Sequence, residues 1–152
     1  MESYRQVIEN GEVKIPCIMM VPSNSVGAAV IIHGYGGCKE EQLGLAWRIA
    51  EEGLVTCTID LRGHGQNTLP LDEKIFLDVE AAIKYCRHFG KVVTIGHSLG
   101  GRLSLVSDAD YAIGISPALG LVFGNQTREI LKNLRNLFIY PFCDFGINIW
   151  RF

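Results

Sequence analysis

Four short apolar runs, Ala28–Ile32, Val55–Ile59, Val92–Ile95 and Tyr111–Ile115, recur along the chain with segments of helical period between them. This alternation narrows the possible folds more than any other feature. Runs this short and mostly apolar, bounded by polar or glycine-rich stretches, read as strands buried on both faces. Between them, Lys39–Glu52 places Leu43, Ala46, Trp47 and Ala50 on one stripe, with Gly53 at the stop position. Glu73–Phe89 does the same with Phe76, Val79, Ile83 and Cys86. Ser98–Val106 reads as a third helix, Thr127–Asn136 as a fourth and Leu137–Tyr140 as a last strand. Strands separated by helices pair in parallel through crossovers, so an α/β fold is expected, with a mainly parallel sheet and helices on both faces. Upstream, Val13–Val21 reads as a strand paired with Tyr4–Glu9 in an antiparallel hairpin across Asn10-Gly11. Pro16 cannot donate to a ladder and points to an edge position or a bulge. With no linker, repeat or low-complexity stretch, residues 1–152 read as a single domain.

The composition excludes several function classes. The net charge is −2 and Lys and Arg form no cluster, which argues against a nucleic-acid partner. No apolar stretch approaches the roughly 20 residues of a membrane span, and the polar start Met1-Glu2-Ser3-Tyr4-Arg5 carries no visible signal peptide. Cys17, Cys38, Cys57, Cys86 and Cys143 are scattered, without a C-x-x-C, as expected for reduced thiols in a cytoplasmic protein. No His pair lies at helical spacing and no phosphate-binding glycine pattern is present, so neither a metal nor a nucleotide cofactor is expected.

Three glycine-rich segments carry the chemistry, each directly after a buried strand. Gly96-His97-Ser98-Leu99-Gly100-Gly101 joins a strand to a helix in a turn that tolerates only small flanking side chains. The turn pushes Ser98 out above the sheet, with the helix N-terminus directed at any oxygen reacting there. His33-Gly34-Tyr35-Gly36-Gly37 offers backbone N–H groups that can approach a carbonyl closely, as an oxyanion hole requires. His33 precedes the nucleophile and is expected, with Gly34, to shape this loop. Asp60-Leu61-Arg62-Gly63-His64-Gly65 places Asp60 and Arg62 to tie down a third loop through charge-assisted hydrogen bonds.

In this order and at these separations, the three segments resemble the α/β-hydrolase family, and within it the lipase, esterase and serine aminopeptidase-like members. The resemblance spans roughly residues 13–117. It implies Ser98 as nucleophile, Tyr35 and Leu99 as oxyanion-hole donors, and acyl transfer through an acyl-serine intermediate on a small ester, with amides or thioesters as further substrates.

The pattern also departs from the family. The family's triad runs Ser, then Asp or Glu, then His, whereas His33, His64, His88 and His97 all precede Ser98. His64 is not expected to be a base, and His97, next to the nucleophile, is expected to point away from it. The acid is expected at Asp144, at the end of Leu137-Phe138-Ile139-Tyr140-Pro141-Phe142-Cys143-Asp144. The sequence therefore reads as an α/β-hydrolase fold lacking the last strand and helix. Loss of the triad His lowers kcat about 10⁶-fold, which leaves an inactive pseudoenzyme or gene-fragment product as the alternative. The strand Leu137–Tyr140 would form an open apolar edge that favours self-association.

Overall fold

A computed structural model of the chain describes residues 1–118 and the backbone of the strand Leu137–Ile139. The helix expected over Thr127–Asn136 lies outside the described residues. Among the described residues, seven strands form one sheet: β1 (Glu2–Asn10), β2 (Val13–Val21), β3 (Ala28–Ile32), β4 (Val55–Ile59), β5 (Val92–His97), β6 (Tyr111–Ile115) and β7 (Leu137–Ile139). Their spatial order is β1-β2-β4-β3-β5-β6-β7. β1 and β2 form the expected antiparallel hairpin, β2 joins β4 antiparallel, and β3 to β7 run parallel. Every residue of β3 and β4 is buried; β3 is apolar throughout, and β4 also buries Thr56 and Thr58.

Three described helices cover the sheet: α1 (Leu43–Glu51), α2 (Ile75–Cys86) and α3 (Leu99–Val106). Val79 and Ile83 of α2 and Leu99 and Leu103 of α3 pack into one core with Val30 and Ile32 of β3. On the opposite face, Ala46 and Ala50 of α1 pack on Met20 and Ile31. The two faces follow from the topology. The chain passes from β3 to β4 on one side, then returns across β3 to β5 on the other. Right-handed crossovers of opposite direction place their helices on opposite faces. A crevice must open beyond the carboxyl ends of β3 and β5, where that direction reverses.

Three local expectations are corrected. Pro16 is neither at an edge nor in a bulge: β2 lies between β1 and β4, and its register with β1 is continuous from Glu2↔Val21 to Asn10↔Val13. The β4 ladder ends at Cys17↔Ile59, and just beyond it the Pro16 carbonyl accepts the Asp60 N–H at 2.9 Å. The proline's missing donor thus falls where that ladder has already finished. The hairpin turns over Gly11-Glu12 rather than Asn10-Gly11. Gly11 has φ +64 and Glu12 does not share a positive φ, as in a turn with glycine at its first central position. Trp47 is 46% exposed, while Ala46 and Ala50 are buried. The stripe that packs on the sheet is Ala46 and Ala50 with Leu43 and Ile49 at its sides, which leaves Trp47 outside it.

The expected helix starts and stops are close to those observed, with short 3-10 turns at Lys39–Gln42 and Arg87–Phe89 replacing the first turn of one helix and the last turn of another. Gly44 lies in α1 with open space where a side chain would stand. Gly44→Ala is expected to raise stability by about 0.5–1 kcal/mol, read as a shift of the urea midpoint at constant slope.

Candidate active site

Ser98 stands between β5 and α3 with φ 52 and ψ −112. Among the described residues, only Ser98 and Ser116 combine a side chain with a positive φ. Such a backbone costs on the order of 1–3 kcal/mol and persists only where its surroundings over-determine it. Here the Ser98 N–H donates to the Ile115 carbonyl at 3.0 Å, and its carbonyl accepts the N–H groups of Arg102 and Ala118, each at 3.0 Å. Both ends of the peptide are held.

The flanking glycines are required by close approach. A methyl group on Gly96 would lie 2.1 Å from the Gly100 carbonyl oxygen, and one on Gly100 would lie 2.3 Å from the Ile32 oxygen. The ends of β3 and β5 and the first turn of α3 are thus packed backbone against backbone. α3 begins at Leu99, so the Leu99 N–H has no acceptor within its own helix.

The loop after β3 approaches the same serine. A methyl on Gly34 would come within 3.5 Å of Ser98 Cβ and 3.2 Å of His97 Nδ1. The Gly34 carbonyl accepts the Gly37 N–H at 3.1 Å, which closes a turn around Tyr35 and Gly36. Between this turn and Ser98 opens a cleft of about 310 Å³, with Tyr35, Glu41, Gln42 and His97 also on its wall. Tyr35 is 76% exposed. His97, expected to point away from Ser98, makes no hydrogen bond to it. It is exposed and also lines the cleft.

His33 is fully buried and fixes the loop. Its Nε2 accepts the Leu61 N–H at 3.1 Å, so the proton resides on Nδ1, which donates to the Gly34 carbonyl at 2.7 Å. Burial pushes its pKa below the ordinary value, partly opposed by that bond to Gly34. Both ring nitrogens are engaged in holding backbone. His64 Nδ1 donates to the Arg62 carbonyl at 2.9 Å, and its ring packs against those of His33 and Tyr35. His88 stacks on Tyr85. Among the described residues, Ser98 Oγ has no hydrogen-bond partner, and Asp144 lies outside them.

Two buried ion pairs anchor the third loop. Asp60 Oδ1 accepts the Lys39 N–H at 2.8 Å, and Oδ2 accepts Lys39 Nζ at 2.6 Å and the Gln66 N–H at 2.8 Å. Lys39 is 1% exposed. Asp60 thereby ties the segment after the Gly34–Gly37 turn to the loop after β4. Arg62 donates from Nε and from a terminal nitrogen to Asp78 on α2, at 3.1 and 2.8 Å, and reaches Asp72 at 2.6 Å. The sequence marked Asp60 and Arg62 but not Lys39 or Asp78. The available signal was a lysine opening a helix and an aspartate beside the inward-facing Val79.

Breaking a buried pair by removing one partner costs about 3–5 kcal/mol. Asp78→Ala is therefore expected to lose about that much in urea unfolding. Gly100→Ala, forced against carbonyl oxygens, should cost about 3 kcal/mol or more. Because His33 holds its proton less tightly when folded, the unfolded chain protonates first. Stability should be full above about pH 6.5 and fall on acidification below it. Urea unfolding over a pH series should show a shallower fall for His33→Gln.

A family model described as alpha/beta hydrolase fold matches residues 28–116, more than half of the chain. No curated protein matches the sequence significantly. Among solved structures, an alpha-beta serine hydrolase homologue from Coxiella burnetii is 18% identical, with a TM-score of 0.71, covering 90% of this chain and 73% of its own. Est1E from Butyrivibrio proteoclasticus, solved with ferulic acid bound, is 24% identical with a TM-score of 0.67, over 74% of this chain and 53% of its own. An esterase from Pyrobaculum calidifontis is 23% identical with a TM-score of 0.65, over 81% and 47%. The chain thus spans about half the length of these two esterases. The fold, the serine on its strained turn and the family match agree: this chain belongs to the alpha/beta hydrolase fold family.

Proposed function

We propose that the chain carries the nucleophile and oxyanion side of a serine hydrolase site for small carboxylic esters, working without a cofactor. The observation that carries this reading is Ser98, held at φ 52 over the cleft by three backbone hydrogen bonds. A serine in so strained a turn has its hydroxyl directed away from the core, at the N-terminus of a helix. The Tyr35 and Leu99 N–H groups are the proposed oxyanion donors, and the family resemblance favours Asp144 as the acid.

In the reaction, Ser98 Oγ attacks the ester carbonyl carbon and the oxyanion forms against those two N–H groups. The C–O bond to the alcohol then breaks, the alkoxide or phenolate leaves with the electron pair, and the serine proton passes to solvent. Water later releases the acid. Without an imidazole on the serine, acylation is slow, and a good leaving group matters more than it does for a complete triad.

A second reading is favoured by one observation: none of the four imidazoles of the sequence bonds to Ser98. The chain would then be a scaffold without turnover, or would act only when another segment or polypeptide supplies the base. We also propose a cytoplasmic location, supported by free Cys17, Cys38, Cys57 and Cys86. Self-association through the β7 edge is a further proposal; among the described residues β7 pairs with β6 alone. No described helix is long and apolar enough to cross a membrane.

Treatment with a fluorophosphonate probe and peptide mapping is expected to find the adduct on Ser98, slow to form and absent from Ser98→Ala. A nitrophenyl acetate assay should give an acylation burst followed by little steady turnover, and added imidazole should speed the burst. Labelling that persists in Ser98→Ala would overturn Ser98 as nucleophile. Complete silence towards both reagents, with and without imidazole, would favour the scaffold.

A further inference from the structure

The short turn Lys39–Gln42 contributes Glu41 and Gln42 to the cleft that Ser98 lines, and its three charged residues have different fates. Lys39 is buried on Asp60 and also lies 3.2 Å from Glu40. Glu40 is held by Arg5 at 2.7 Å, a partner that helps draw its pKa down to about 2 against the opposing effect of desolvation. Glu41 differs. It is exposed, lines the cleft with Ser98, and its Oε2 lies 2.7 Å from where a methyl on Gly37 would stand. Among the described residues, no cation and no donor N–H or O–H engages its carboxylate.

The neighbouring cations are already committed, Arg5 to Glu40, Lys39 to Asp60, and Arg62 to Asp78 and Asp72. The described wall carries one uncompensated negative charge. Its other side chains are those of Tyr35, Gln42, His97 and Ser98, and no aliphatic side chain lines it. Such a surface offers little to a long hydrocarbon chain. A concave site lined by one sign of charge concentrates ligands of the opposite sign and repels its own.

We infer that this cleft selects acyl esters carrying a positive charge a few bonds from the reacting carbonyl, with Glu41 as the residue that reads the charge. The inference rests on the serine-ester reading above, and the test separates the two. Three nitrophenyl esters of matched length serve as probes: that of γ-trimethylammoniobutyrate, its neutral carbon isostere with a tert-butyl end, and the monoglutarate anion. The second-order rate of the acylation burst is measured with the wild-type chain, Glu41→Gln and Ser98→Ala, at low and at high salt.

The expected order is cation, neutral, anion, with about a threefold to fivefold preference for cation over neutral, the scale of a partly solvated ion pair. Glu41→Gln should bring the cation-to-neutral ratio close to one, and high salt should compress it in the wild type. A burst that depends on Ser98 but shows equal rates for the three esters would overturn the role of Glu41 and leave the hydrolase reading standing. If no ester gives a burst that depends on Ser98, the hydrolase reading falls and binding decides the role of Glu41. The primary amides of the same three acids are then titrated into isotope-labelled protein, following the backbone signals of residues 34–37. A cation preference removed by Glu41→Gln supports the inference, and equal affinities overturn it.

Discussion

The site depends on the contact of bare backbone with bare backbone where β3, β5 and α3 meet. Gly96 and Gly100 allow carbonyl oxygens of neighbouring segments to occupy the space that side chains would fill. That contact brings the loop after β3 against the elbow after β5, beside Ser98. It is also costly, because close-packed peptide groups must each find a partner. The Ile115 and Ser98 carbonyls do so partly through bonds between the elbow and the end of β6 or the segment after it, and the Gly34 carbonyl through bonds within its own loop. Topology selects the location: the reversal of strand order beside β3 opens a crevice at its carboxyl end, and the glycines make the crevice shallow enough for backbone to form its floor.

Around this contact the molecule places charge in two layers. The inner layer is fully paired and buried, with Lys39 on Asp60 and Arg62 on Asp78. Buried ion pairs add little net stability over apolar packing, but leaving one partner alone is expensive. They therefore act as registers, making the loops after β3 and β4 settle together or not at all. His33 belongs to the same layer as a neutral ring, with one nitrogen in each loop's backbone. The outer layer is the cleft wall, where Glu41 remains without a partner among the described residues.

What the sequence disclosed and what it hid follow from range. The elbow and the Gly34–Gly37 loop were legible because a tight turn and a close approach restrict residue type at the position itself. The buried strands were legible because two covered faces favour short, mostly apolar runs, in which the threonines of β4 and β5 are also buried. The partners of Asp60 and Arg62 were not, since 21 residues separate Lys39 from Asp60 and 16 separate Arg62 from Asp78, and no local rule links them. Pro16 misled because the meaning of a missing donor depends on where a neighbouring ladder ends. Trp47 misled because helical spacing gives the inward stripe but not its sides, which Leu43 and Ile49 form around Ala46 and Ala50.

The backbone at Ser98 has a consequence for how such a chain changes over generations. Glycine would occupy that φ without steric conflict, so a hydroxymethyl group there weakens the fold it sits in. Once nothing required the oxygen, mutational drift would tend to drop it, and the protein would become more robust. The identity of that single residue therefore serves as a gauge of whether chemistry is still being asked of the scaffold, and in this chain it reads serine.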